Sequence, residues 1–386
     1  MPSPTPLHRH QMSLEGVIDF TVAIPLSESQ RAFAKHKFYR IADHFEANNG
    51  APATQYSPTR LVRLTYEYAL SEASRDNFLR AFFQAMGLSL EDQGHDDLED
   101  LRSPLFGFAD YLLDNFFLPL KASTKKTPQP SPAYHSAVER VQGGSMLSLP
   151  GTPDRLSALR GACLIRDRHR CVISRKFDLR EAADRMRKAG NDALDDDGNL
   201  LREDENSVDV LEVAHILPHS LVKTDAGSEL SPSKQAALAI LNMFDGGVVH
   251  LIEGTDIDRP RNALTLTTTL HSLFGDFQVF FEPVPNQLHT YRIDSFYPRI
   301  LLRDPAFPIT RILYLSDHRT IDPPSPRLLA LHRAIAHILH LSAAGDYIDK
   351  LLRDMDGQSV FADGSTELDR LVRFGLRGWP EKSIRQ

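Results

Sequence analysis

The chain of 386 residues is poor in cysteine and has two, Cys163 and Cys171. It contains no Cys-x-x-Cys pair, and two thiols do not supply a four-ligand zinc knuckle, so we expect no structural zinc site. Two cysteines in this length also fit a reducing compartment. Residues 1–6 lack the basic start and apolar stretch of a secretory signal. We therefore expect the protein in the cytoplasm or the nucleus.

Long apolar runs are missing as well. None approaches the roughly 20 residues that cross a bilayer, so we expect no membrane partner. Positive charge is not in excess either, because the formal net charge is −7, which is unusual for a dedicated nucleic-acid binder. The sequence has no Walker loop, no dinucleotide fingerprint and no Gly-x-Ser-x-Gly elbow. These absences argue against nucleotide-driven, dinucleotide-dependent and serine hydrolase chemistry.

The composition is that of an ordinary globular protein, with 41% hydrophobic and 25% charged residues. We predict a mainly helical region of unknown role over 1–121 and a linker over 122–154, which is rich in Pro, Ser, Thr and Gly. A central domain over 155–320 follows, with an acidic insertion at 189–209. A helical region over 321–386 ends the chain.

Hydrophobic spacing predicts the elements of the outer regions. Residues 16–24 alternate like a strand, whereas 60–86 and 98–118 carry apolar residues at helical spacing. A helix from about 327 to 341 is apolar on most sides and is expected to be buried. We interpret its three histidines as polar residues at the helix edge: His332, His337 and His340.

Charge is concentrated in two neighbouring segments. Residues 160–188 carry ten arginines and lysines against few acids, and either phosphate contacts or a solvated helix face explains them. Residues 192–209 are strongly acidic and are expected to form an exposed insertion.

Three polar residues stand out in the central domain: His215, Asn262 and His271. His215 ends an apolar, β-branched run before Pro218, which is typical of a strand that leads into a turn. Asn262 lies in a loop. His271 lies on the edge of a short helix that begins near Thr267–Thr269 and ends at Gly275. Strands are expected at 277–282 and 290–293.

These residues and their surroundings resemble the HNH nuclease family, in the form common in filamentous fungi. The resemblance rests on Arg-Cys-Val-Ile-Ser at 170–174, Ala-His-Ile-Leu-Pro at 214–218, Arg-Asn-Ala-Leu at 261–264 and Leu-His-Ser-Leu-Phe-Gly at 270–275. It covers about residues 159–293. Each short motif is weak alone, but the four occur in the family's order.

The resemblance implies an α+β fold, in which an HNH ββα-metal core has helical elaborations at both ends. It also implies metal-dependent hydrolysis of phosphodiester bonds in nucleic acid, with DNA a better candidate than RNA. His215 would be the general base and Asn262 would orient it, while His271 and Asp276 would bind a divalent ion. Mg²⁺ is the first candidate ion, and Mn²⁺, Ni²⁺ and Zn²⁺ are alternatives.

Two positions depart from the family pattern. Ala214 stands where most HNH enzymes place a metal-binding Asp or His, and Gly275 stands where many place another ligand. Asp276, Glu212 and His219 are candidate replacements. The alternative function is therefore a degenerate HNH-like scaffold that serves as a binding module or for non-nuclease chemistry.

Overall fold

The computed structural model describes residues 25–48, 56–91, 97–124, 152–221, 231–316 and 320–356, together with Arg370 and Phe374. The chain forms two compact units, each assembled from separate segments. The first contains Met1–Ser123, Ser220–Leu251 and Ala334–Gln386, and the second contains Thr124–His219 and Ile252–Arg333. Helices and two small sheets together make this an α+β protein. The predicted four-part division of the chain stays a prediction.

The first unit is helical where it is described. Its helices that lie wholly within the unit are α1 (Glu28–Asn48), α2 (Pro58–Glu67), α3 (Glu72–Met86), α4 (Arg102–Leu112), α8 (Pro232–Phe244) and α11 (Ala344–Asp356). A π-helical turn, Leu113–Phe117, follows α4 and leads into α5 (Leu118–Thr124). Ser57 and Ser71 cap the N-termini of α2 and α3 by accepting backbone hydrogen bonds, as serine commonly does.

Apolar aromatic residues fill the core of this unit. Phe38 packs edge-on against Phe78 and Phe82, at ring-centroid distances of 5.6 and 5.0 Å, and Phe108 closes the group. All four are fully buried. The helical spacing that the sequence predicts over 60–86 and 98–118 is therefore confirmed as core packing. The strand predicted at 16–24 and residues 125–151 of the predicted linker lie outside the described residues.

The second unit holds both sheets. Its helices are α6 (Thr152–Arg166), α7 (Leu179–Ala189) and α9 (Thr268–Gly275). Strands β1 (Leu211–His215) and β2 (Ala263–Thr267) form an antiparallel pair, and β3 (Val279–Pro283), β4 (Thr290–Ser295) and β5 (Ile309–Ile312) form an antiparallel sheet in that order. Helix α10 (Pro326–Leu341) begins in this unit and ends in the first.

The β1–β2 pair and the helices beside it position the residues of interest. Register places Leu211 opposite Thr267 and His215 opposite Ala263. The Thr267 side chain accepts a hydrogen bond from Leu270 and so caps α9, which packs against both strands. On the other side of the pair, α6 contributes Leu159 and Cys163 to a buried cluster with Val213 and Ala263. The predicted strand and helix of this region are confirmed, whereas Asn262 ends a short 3₁₀ helix, Pro260–Asn262, where the sequence predicts a loop.

One arginine of the basic segment, Arg166, has a structural role. Its side chain is fully buried and ion-paired with Asp167 at 2.8 Å. The same guanidinium donates to the backbone oxygens of Pro260 and Ala263, at 2.7 and 2.9 Å. Because these oxygens lie just before β2 and at its first residue, Arg166 fixes the start of this strand to the end of α6.

Helix α10 corrects one prediction about its histidines. His332 is not a polar edge residue: it is 1% exposed and stacks between Phe274 and Phe277, at centroid distances of 3.9 and 4.7 Å. Its Nε2 donates to the backbone oxygen of Phe274 at 3.0 Å. Helical spacing alone did not reveal this role because the aromatic partners come from a distant segment.

Within the described residues, no single helix is long and apolar enough to cross a membrane, and α10 and α11 reach that length and composition only as a bent pair.

Candidate active site

His215 ends strand β1, and its side chain is 3% exposed. Residues 211, 213 and 215 point to one face of the strand because side chains alternate, so His215 shares the face that packs on α6. The chain leaves the strand immediately afterwards, where Ile216 donates its backbone N–H to the oxygen of Asn262 at 2.8 Å. The histidine is thus held at the last position of a rigid element.

Two histidines converge on one carboxylate. Nε2 of His215 lies 3.2 Å from Oδ1 of Asp258, and Nδ1 of His219 lies 2.8 Å from the same oxygen. Asp258 ends a 3₁₀ helix, Gly254–Asp258, and its side chain is 1% exposed. We call these three residues the His–His–Asp cluster. Among the described residues, they form a group of possible metal ligands whose donor atoms lie within 4.8 Å of one another.

The carboxylate in the cluster is strongly favoured in its charged form. Burial raises the pKa of Asp258, but the hydrogen bonds from His215 and His219 outweigh burial and hold the pKa well below its ordinary 3.8. On the far side, Nε of Arg155 approaches Oδ2 of Asp258 at 3.3 Å. Asp258 is therefore an ionised group whose two oxygens serve different partners.

Asp258 also selects the tautomer of each neighbouring ring. An ionised carboxylate only accepts hydrogen bonds, so without a bound cation the nitrogens that face it carry the protons. The opposite nitrogens, Nδ1 of His215 and Nε2 of His219, are buried and have no hydrogen-bond partner among the described residues. Each ring consequently keeps an unused lone pair.

Asn262 is fully buried, and its side chain bonds to backbone rather than to His215. Its Oδ1 accepts from the N–H of Leu217, while its Nδ2 donates to the oxygens of Leu217 and Ile257, all at 3.0 Å. Leu217 lies two residues after His215, and Ile257 precedes Asp258. Asn262 thus joins the two segments that carry the cluster, and any orienting effect on His215 acts through the backbone.

His271 lies beside a different carboxylate. Its Nδ1 is 2.7 Å from Oε2 of Glu212, and both side chains are partly exposed. Glu212 and Ala214 share one face of β1, opposite to that of His215. The structure therefore does not bring His271 into the His–His–Asp cluster. Ala214 is fully buried at the position where the family usually places a ligand.

Asp276 is the C-terminal cap residue of α9, and its backbone N–H donates to the oxygen of Ser272 at 2.9 Å. Helix α9 extends through Gly275, so Asp276 follows directly after it. Among the described residues, His271 and Asp276 belong to no three-membered group of possible metal ligands. Metal binding by these two residues stays a prediction.

The acidic insertion neutralises much of the basic segment. Arg170 pairs with Asp195 and Asp204, at 2.9 and 2.6 Å, and Arg185 pairs with Asp196 at 2.8 Å. Burial raises the pKa of Asp196, but its bonds to His169 and Arg185 prevail and lower it to about 2. Asp195 is buried, so the expectation of a fully exposed insertion is wrong at this residue. These arginines are occupied by protein carboxylates.

Asp258 and Arg155 are not among the residues that the sequence predicts for the site. Asp258 lies four residues before Asn262, and His219 lies four residues after His215. The sequence signal for the cluster is therefore an acid and a histidine, each four residues away from a motif residue. Arg155 is distant in sequence, and no local pattern points to it.

Comparison with known proteins finds a match over part of the chain. Residues 171–282 match the family model described as HNH endonuclease. No curated protein and no solved structure matches the chain. The matched segment contains β1, β2, α9 and all three members of the cluster. The chain therefore contains an HNH endonuclease family domain, which covers residues 171–282.

Proposed function

We propose that this protein is a metal-dependent endonuclease of the HNH type, which hydrolyses phosphodiester bonds of nucleic acid. The observation that carries the proposal is the convergence of His215, His219 and Asp258 within the HNH segment. In this proposal the β1–β2 pair and α9 form the ββα core of the domain. DNA is the first candidate substrate and RNA the second.

The donor set fits a divalent cation. An ion bound at about 2.0–2.1 Å keeps neighbouring ligand atoms roughly 3 Å apart. The two nitrogen–oxygen distances in the cluster, 3.2 and 2.8 Å, agree with that spacing. Two imidazoles with one carboxylate suit Mn²⁺, Zn²⁺ or Ni²⁺ better than Mg²⁺, which prefers oxygen ligands. The proposal therefore favours these three ions over Mg²⁺.

Each residue has a distinct task in this scheme. Asp258 supplies the negative charge, and Arg155 holds its second oxygen in place. His219 is the most exposed member, with a side chain that is 14% exposed. A bound divalent ion supplies a water of lowered pKa and a positive charge for the phosphate oxygens.

His215 has two alternative tasks. As the general base that the family resemblance implies, it would accept a proton at its unused Nδ1, with Asp258 fixing the tautomer. As a metal ligand, it would instead bind through Nε2, the nitrogen that faces Asp258. Metal affinity separates the two tasks, because only a ligand contributes to it.

A degenerate HNH-like scaffold is the second candidate function. It is favoured by the near-complete burial of His215 and Asp258 and by the ion pair between Asp258 and Arg155, which balances the buried charge without a metal. Ala214 and Gly275 point in the same direction because neither side chain binds metal.

Supercoiled-plasmid nicking tests the proposal. Purified protein would be assayed with Mn²⁺, Zn²⁺, Ni²⁺, Mg²⁺ or EDTA, beside His215→Ala, Asp258→Asn and the surface control His36→Ala. We expect metal-dependent nicking that His36→Ala retains and the other two variants lose. Absence of nicking with every metal, together with no cleavage of single-stranded RNA by folded protein, would overturn the nuclease proposal in favour of the scaffold.

A further inference from the structure

Two arginines of the second unit cross-link neighbouring segments by reciprocal bonds to backbone. Nη2 of Arg175 donates to the oxygen of Ile312, and Nε of Arg311 donates to the oxygen of Ile173 at 2.7 Å. Arg175 lies in a turn with a φ of 67°, and Arg311 lies on β5. The two guanidinium groups thus lie near each other, between the segment of Ile173 and the edge strand β5.

Neither arginine has a carboxylate partner in the part of the chain that the structure describes. No ion pair of Arg175 or Arg311 occurs among the described residues, in contrast to Arg170 and Arg185 in the same unit. The nearby Asp167 is already occupied by Arg166 and by the backbone N–H of Thr265. Within the described ranges, the pair is therefore a local concentration of positive charge without an ion-paired carboxylate, in a chain whose formal net charge is −7.

The charge of this pair is only partly hydrated. Burial lowers the pKa of Arg175 and of Arg311, and the positive charge of Arg175 lowers the pKa of Arg311 further. Nη1 of Arg175 is buried and has no hydrogen-bond partner among the described residues. Backbone oxygens accept from Nη2 of Arg175 and from both Nε and Nη1 of Arg311, the latter at 3.4 Å from the oxygen of Thr310, but Nη1 of Arg175 stays unused.

Tyr314 stacks on one guanidinium group of the pair, that of Arg175. The Arg175 guanidinium carbon lies 4.2 Å from the centroid of the Tyr314 ring, and that of Arg168 lies 5.4 Å from it. Stacking on an aromatic face leaves the planar edge of a guanidinium available for hydrogen bonds. Such an edge matches the oxygens of a phosphate group.

We propose that Arg175 and Arg311 bind a backbone phosphate of the nucleic-acid substrate. This inference rests on the proposed function and adds a substrate-positioning surface that is separate from the His–His–Asp cluster. The segment that carries Arg175 is joined to the core of the domain, because Val172 donates its N–H to the oxygen of Thr265 on β2 at 2.9 Å. A phosphate held here is therefore fixed relative to the strand that pairs with β1.

Fluorescence anisotropy with a short labelled DNA duplex in EDTA tests the inference without requiring cleavage. Each phosphate contact contributes about 0.9 to the slope of log affinity against log salt concentration. We expect Arg311→Gln to weaken binding and to reduce the magnitude of that slope by about 1, whereas Arg311→Lys retains most of the slope. The matched control is Arg292→Gln on β4, which removes the same charge from an arginine that pairs with Asp294.

Arg175→Gln is the second variant, with the same expected result should Arg311→Gln fail to fold. A labelled single-stranded RNA in a parallel series distinguishes the two sources of the phosphate.

Unchanged affinity and slope for a folded Arg311→Gln or Arg175→Gln protein would overturn the inference, as would absence of binding to both nucleic acids. A chain that binds through Arg311 but does not nick keeps this inference and loses the proposed nuclease function. If the unmodified protein nicks DNA but Arg311→Gln binds nucleic acid unchanged, the nuclease proposal is kept and this inference is lost.

Discussion

Nδ1 of His219 lies 2.8 Å from Oδ1 of Asp258, the same oxygen that faces Nε2 of His215. One carboxylate oxygen thus joins a histidine at the end of a strand to a histidine in the following turn. The arrangement places three donor atoms together within a few residues of the family motif. Substitution of His219 therefore tests the proposed metal site as directly as substitution of His215, although the family pattern does not require His219.

Removal of His219 is expected to weaken metal binding. His219→Ala removes one of three donors, so its affinity for Mn²⁺ or Zn²⁺ should fall at least about tenfold. Isothermal titration calorimetry of the metal-free protein measures this directly. His36→Ala, which removes an exposed histidine from the first unit, should titrate like the unmodified protein. Equal affinities for His219→Ala and the unmodified protein would remove His219 from the proposed site.

The buried His332 should make the protein sensitive to mild acid. Burial lowers its pKa from 6.5 to about 3, so the unfolded chain takes up a proton at this residue before the folded chain does. Its contribution to stability is therefore complete above pH 6.5 and is lost progressively as the pH falls towards 3. At pH 5 the free energy of unfolding should be about 2 kcal/mol lower than above pH 6.5, since each pH unit contributes about 1.4 kcal/mol.

Urea denaturation at pH 7 and pH 5 measures this effect. His332→Phe keeps an aromatic ring between Phe274 and Phe277 but does not titrate, so its free energy of unfolding should fall less between the two pH values. His36→Gln removes an exposed histidine and should keep the full dependence. A His332→Phe protein as sensitive to acid as the unmodified one would show that other groups cause the loss.

Asn262 is expected to act as a structural clamp, and Asn262→Asp tests this with almost no change in size. The Nδ2 of Asn262 donates to two backbone oxygens, those of Leu217 and Ile257. In Asn262→Asp, a carboxylate oxygen replaces Nδ2 and faces both backbone oxygens without a hydrogen to donate. The free energy of unfolding should therefore fall by about 3 kcal/mol or more. Thermal unfolding reports the loss, and the exposed Asn286→Asp is the matched control. A stable Asn262→Asp protein with impaired nicking would instead support a direct role in catalysis.

The sequence predicted the local elements of the HNH segment better than its contacts. The strand ending at His215, the helix capped by Thr267 and the strand pair after it follow from alternation, capping and helical spacing, which are local properties. The partners of the predicted residues do not follow from them, because Asp258 lies 43 residues from His215 and Glu212 lies 59 residues from His271. Strand β5 was missed because it is a short edge strand.

His271 provides the sharpest comparison between the prediction from the family motif and the observed cluster. Its Nδ1 is engaged by Glu212, on the face of β1 opposite to that of His215. If His215, His219 and Asp258 hold the ion, His271→Ala should leave the affinity for Mn²⁺ or Zn²⁺ unchanged, while Asp258→Asn should reduce it strongly. If His271 and Asp276 hold the ion, as the motif predicts, His271→Ala should reduce the affinity strongly and Asp258→Asn should leave it unchanged. Glu212→Gln should then also weaken binding, because Glu212 orients the His271 ring. Calorimetry on these three variants at one pH therefore assigns the ion to one face of strand β1 or to the other.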